Sequence, residues 1–313
     1  KSQGSSLITI KQTIPDHMNN ICILDASYNI RKVMLADKTI NAMYLHENIK
    51  DHSDVTIYHA YARAGRTSIM EGLQQHGGDI NLFHEVAELI ARLLKVGRNV
   101  LMFTFKDVDN RKPISKLREL ITKYLDGVDP DMLSAGGKLE ILTWGYETAL
   151  NTFSDCDAVV FAGLLTLPHS TSAANYLAHA RDIKKNITKE VLNEIVQSEK
   201  VHYVYQALSR GSCRVMENGK ARKMDAYIFS NDHLKLKKAL MIAMPGVKFV
   251  PYQTKHLKLK ASKREQCKNV FLNELAKLEV NEISLKVLYG FFSEAGPDTK
   301  KAALDEILED TFE

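Results

Sequence analysis

The chain has 313 residues and a mass of 35.3 kDa, enough for one large domain or two ordinary ones around a sizeable buried core. With 45% hydrophobic and 26% charged residues it has the balance of an ordinary globular protein, and no apolar run approaches the roughly 18 residues that a membrane span needs, so a cytoplasmic chain without a membrane partner is expected. A net charge of +4 permits a polyanionic partner without demanding one, and Cys22, Cys156, Cys213 and Cys267 lie too far apart for a C-x-x-C metal or redox pair.

Residues 1–20 are polar, contain Gly4 and Pro15, and read as a linker or the remnant of an upstream domain, so the chain is expected to be a fragment. A compact apolar run at 20–28 ends in Asp25, Ala26 and Ser27, the pattern of a buried parallel strand with its functional edge at the carboxyl end. A helix is expected over 30–43 and a strand over 54–61. Residues 80–94 predict an amphipathic helix, with Leu82, Val86, Leu89, Ile90 and Leu93 on one stripe. Within it, His84-Glu85-x-x-Glu88 lacks the second histidine of the zinc pattern His-Glu-x-x-His, and both carboxylates fall near the solvated side, so no metal is expected.

Gly97 stops this helix, and a buried strand (99–105), a polar loop (106–113) and a helix (114–125) follow as the βα unit of a parallel sheet. Ligands of open α/β sheets bind outside the carboxyl ends of strands, which makes Thr104 and Lys106 candidates for a phosphate contact. A strand at 138–143, a turn carrying Trp144, Gly145, Thr148 and Asn151, and a strand from Cys156 repeat that order. Gly145 allows close backbone approach, and Trp144 is expected to pack against the protein rather than to stack on a base.

Helices are expected over 170–181 and 188–197. In 202–214, Gln206, Arg210 and Arg214 recur every four residues, so a helix there would bring an amide and two guanidinium forks to one face, a site for phosphate oxygens. Asn218-Gly219 is a strong hairpin signal, a last strand covers 227–229, and the run Lys235–Lys238 adds a basic face. Residues 251–264 are basic and read equally as a phosphate-tracking segment or a solvated linker. Helices are then expected over 265–292 and 298–310.

Gln206-x-x-Ser209-Arg210 followed by Arg214 resembles the last conserved motif of superfamily 2 helicases, Gln-x-x-Gly-Arg-x-x-Arg, with Ser209 in place of Gly and Arg214 one residue late. The letters YQALSR are also similar to a superfamily 1 form. Asp25 to Ser27 resembles the Ser-Ala-Thr segment between the two RecA-like domains, VLMFTF at 100–105 resembles motif IV, and the turn from Gly145 to Asn151 resembles motif V. The likeness covers about 20–230 and is to DEAD/DEAH-type helicases of bacteria, phages and mobile elements.

That resemblance implies an α/β fold: a RecA-like domain with a mostly parallel sheet over 21–245, after a 1–20 linker, and a small α-helical domain over 246–313. It implies that Arg210 and Arg214 stabilise charge on the γ-phosphate of ATP, while Gln206 links nucleotide state to the grip on a strand. Thr104, Lys106, Gly145, Thr148 and Asn151 would hold a nucleic-acid backbone, DNA rather than RNA, and Asp25 and Ser27 would couple the domains. ATP and Mg²⁺ would be held mainly by an N-terminal RecA-like domain of the same protein, because no G-x-x-x-x-G-K-[ST] occurs in this chain. The fragment by itself is then expected to be inactive, and Arg210 and Arg214 should face outward from the crest of a parallel sheet. Two other readings stay open: a degenerate, non-catalytic RecA-like module of a replication or defence complex, and a small-molecule α/β enzyme using Asp25 or His169.

Overall fold

The computed structural model describes residues 22, 27–41, 50–75, 80–133, 136–146, 152–257, 267, 270–271, 284–293 and 295–311. Two compact units divide the chain, Lys1–Leu257 and Lys258–Glu313. The first is built on strands β1 (Val55–Ala60), β2 (Val100–Thr104), β3 (Leu139–Thr143), β4 (Ala158–Phe161), β7 (Met224–Phe229) and β8 (Lys248–Pro251). They form one six-stranded sheet in the order β3-β2-β4-β7-β1-β8, with every neighbouring pair parallel. The expected α/β class with a parallel sheet is what the chain adopts.

Continuous burial along the central strands follows from covering both faces. Along β2, Val100 and Met102 face one apolar core while Leu101 and Phe103 face the other. Helices α1 (Arg66–Gln75), α2 (Asn81–Lys95) and α3 (Pro113–Tyr124) cover the first face. Helices α5 (Lys189–Leu208) and α6 (His233–Ala243) cover the second, and α4 (His169–Ala180) packs on α5. A short hairpin, β5 (Met216–Glu217) and β6 (Lys220–Ala221), turns at Asn218 and Gly219, whose φ values of 53° and 80° match the two left-handed positions of a type I′ turn.

Three expectations are corrected. The helix over 30–43 is absent from its described part, where two short 3₁₀ turns, Tyr28–Ile30 and Met34–Ala36, stand instead. Ile30, Val33 and Met34 are buried there, and their three-to-four spacing suits such turns as well as an α-helix. The sheet-bearing unit reaches beyond Pro245 because β8 joins β1 at the sheet edge. Glu85 is not near solvent: it is 2% exposed, and its carboxylate accepts the backbone N–H groups of Lys255 (2.8 Å) and His256 (2.7 Å). In the second unit the described residues include helices Leu285–Gly290 and Pro297–Thr311 and a small core of Cys267, Phe271, Leu288, Ala303 and Ile307.

Candidate functional site

At the carboxyl edge, β2 and β3 run in parallel register with Thr104 opposite Thr143, so Lys106 and Gly145 emerge at neighbouring strand ends. Both are exposed, and Gly145 has a φ of 99°, open to a glycine without strain. Thr104 itself is fully buried, and its carbonyl accepts the Trp144 N–H at 3.2 Å, so it supports the loop from beneath. Trp144 stacks with Phe161 and tilts against Phe103, and its indole N–H donates to the Gly163 carbonyl at 3.0 Å, which fits the packing role. Thr148, Asn151 and Asp25 lie outside the described residues. Ser27 is fully buried, and its hydroxyl lies 2.7 Å from Nδ1 of His202, so it ties its segment to α5. Arg31 joins the same tie through a two-pronged ion pair with buried Glu199 at 3.0 and 2.8 Å.

The arginine segment does not form one helical face. Helix α5 ends at Leu208, the chain turns through Ser209 to Gly211, and a 3₁₀ turn covers Ser212–Arg214. After the turn the chain passes so close to the sheet at Gly211 that a Cβ there would meet Met224 Sδ at 2.7 Å and Val159 Cγ2 at 2.9 Å. Ser212 pins it, donating its N–H to the Cys156 carbonyl and its hydroxyl to the Lys223 carbonyl, both at 2.8 Å. Cys156 and Lys223 precede β4 and β7, so Gln206, Arg210 and Arg214 approach the amino edge of the sheet, not its carboxyl crest. Gln206 and Arg210 are half-buried and Arg214 is exposed. The same edge carries a cluster in which Arg98 donates to Asp157 (2.6 Å) and Asp225 (2.9 Å). Burial opposes the Arg98 charge, but those two carboxylates outweigh it and raise the guanidinium further above its ordinary value.

The sequence reading missed a group at the crest. Between the ends of β4, β7 and β1 lies a crevice of about 470 Å³, walled by α5 on one side and the start of α1 on the other. Lys200, 6% exposed, donates to Asp232 at 2.7 Å and to the Ser230 hydroxyl at 3.3 Å, while Gln197 and Ser230 also bond the Asp232 carboxylate. Burial would raise the Asp232 carboxyl, but the Lys200 ammonium, the Ser230 hydroxyl and the Gln197 amide together hold it below the ordinary range. The signal available in the sequence was the polar run Ser230-Asn231-Asp232 directly after an apolar strand. Among the described residues no group of three or more His, Cys, Asp or Glu side chains is placed to hold a metal.

No family model matches the chain, and no curated protein matches it. Among solved structures, a chain titled XPD in its apo form is similar at 14% identity with a TM-score of 0.39, over 71% of this chain and 46% of that one. This chain therefore spans less than half of that structure.

Proposed function

We propose that the first unit is the second motor domain of an ATP-dependent nucleic-acid helicase or translocase. What supports this reading is the parallel α/β sheet with Lys106 and Gly145 side by side at its carboxyl edge; Arg210 and Arg214 stand at the amino edge instead of the expected crest. Lys106 and Gly145 present a cation and an approachable backbone at the carboxyl edge, where a phosphodiester chain can be gripped. Arg210 and Arg214 belong to the segment pinned at the amino edge. Crest binding is a rule for the module that holds the ligand. A nucleotide gripped by a different module can be met from whichever edge faces it, so the amino-edge placement is compatible with guanidinium groups supplied across an interface.

In this reading Arg210 and Arg214 stabilise charge developing on the transferring phosphoryl group, and Gln206 sits on the last turn of α5 behind them. ATP and Mg²⁺ are held by the other module, and this chain's part is to orient and neutralise. Thr104 holds the Trp144–Gly145 turn beside the strand end that carries Lys106. The test is Arg210→Ala in the full-length protein, with nucleic-acid-stimulated ATP hydrolysis as the readout. Loss of roughly a thousandfold is expected for an arginine finger. An unchanged rate would instead favour the non-catalytic interaction module, which the departures at Ser209 and Arg214 motivate.

A further inference from the structure

Strands β7 and β1 are neighbours, yet their outgoing connections part. From β7 the chain passes through α6, on one face, to β8; from β1 it passes through α1 and α2, on the other face, to β2. Such a divergence opens a crevice above the carboxyl ends of the two strands, the place where open α/β sheets bind ligands. The crevice lined by Arg63, Gly65, Ser68, Gln197, Lys200 and Asp232 lies there, and its size of about 470 Å³ suits a mononucleotide.

The geometry points to a binding site for a nucleotide in this crevice, with its phosphate at the Arg63 and Gly65 side and its sugar hydroxyls toward Gln197 and Asp232. Arg63 brings an exposed guanidinium three residues past β1. Gly65 directly precedes α1, whose first backbone N–H groups point out of the helix end. A Cβ at Gly65 would meet nothing within 4 Å, so a phosphate oxygen can come close to that backbone. Across the crevice, Lys200 is a buried cation held by Asp232, a fixed pair that a hydroxylated sugar can bridge as both donor and acceptor. The buried amide oxygen of Gln197 lacks a hydrogen-bond donor among the described residues, and a sugar hydroxyl is a donor of the right kind.

This site is separate from Lys106 and Gly145, which lie over β2 and β3, and it does not rest on the motor reading. A free ribonucleotide and a nucleotide of a bound RNA strand present the same phosphate and the same 2′-hydroxyl, so the experiment needs both. The full chain is titrated with AMP and with a short dye-labelled single-stranded RNA, in the absence of ATP. Arg63→Gln and Ser68→Trp serve as variants, since both positions are exposed and Ser68→Trp fills the mouth from α1 without entering the core. Each variant should weaken binding by about tenfold or more, with the thermal midpoint unchanged. Binding of AMP marks a free-nucleotide site, and binding of the oligonucleotide only marks a strand contact. Failure of the wild-type chain to bind either probe, or wild-type affinity in either variant, overturns the site. Because no hydrolysis is measured, that result leaves the outcome for Arg210→Ala untouched.

Discussion

Cys156 and Cys213 are buried beneath the arginine segment, one as a carbonyl acceptor for Ser212 and the other as a thiol directed at the Leu208 carbonyl, 3.2 Å away. Burial pushes both thiols up to about 12, so neither offers a thiolate at neutral pH, whereas Cys22 is exposed. An aromatic disulfide reagent at pH 8 should therefore label Cys22 within minutes and leave Cys156 and Cys213 unlabelled until urea unfolds the chain. Peptide mass spectrometry reads the difference, and early labelling of Cys213 would contradict the packing of Ser212–Arg214. At this scale the sequence located chemistry by residue type but not by neighbour. Thr104 looked like a strand contact because it ends an apolar run; full burial makes it a support. Lys200 gave no signal, since a lysine in a mixed helix reads as solvated until the strand end bearing Asp232 is laid beside it.

Helix α2 shows how an element acquires a role that its own pattern does not contain. Its apolar stripe was legible, and Leu82, Val86, Leu89, Ile90 and Leu93 are all buried. Its second exposure-breaking feature comes from residues 252–257, which lie across it: Glu85 takes two backbone N–H groups, and Glu88 binds Lys255 and His256. The His-Glu-x-x-Glu spacing thus serves as a clasp for a strap. Glu85→Ala removes two hydrogen bonds to a buried carboxylate and should cost about 2–3 kcal/mol in urea unfolding. Hydrogen exchange should speed up locally at Lys255 and His256; unchanged protection there would show that the strap is held by Tyr252 packing on Tyr227 and Phe229 instead. The arginine segment failed in the opposite sense. Its four-residue recurrence was real, but α5 ends at Leu208, and Gly211 then lies against Met224 and Val159 where only a glycine fits.

For the whole molecule, the Lys200–Asp232 pair links three elements at the crest, and its pH response can be signed. The folded Asp232 carboxyl lies below its ordinary value, so its contribution to stability is fully present above about pH 4 and is lost as pH falls through the folded value. Asp232→Asn should lower stability at pH 7 and show a shallower loss between about pH 5 and pH 3 than the wild type, read from urea midpoints across that range. Identical pH slopes in the two proteins would remove Asp232 from the account.

Continuous apolar runs in the strands and the helical stripes determined, from sequence, a parallel α/β sheet covered on both faces, because the apolar pattern is a local consequence of which faces must be dry. Hairpin chemistry at Asn218-Gly219 was equally local. Which edge of the sheet receives Arg210, which strands become neighbours, and that β7 and β1 send their connections to opposite faces were decided only in three dimensions. Those are relations between segments far apart in the chain, and no local pattern encodes them.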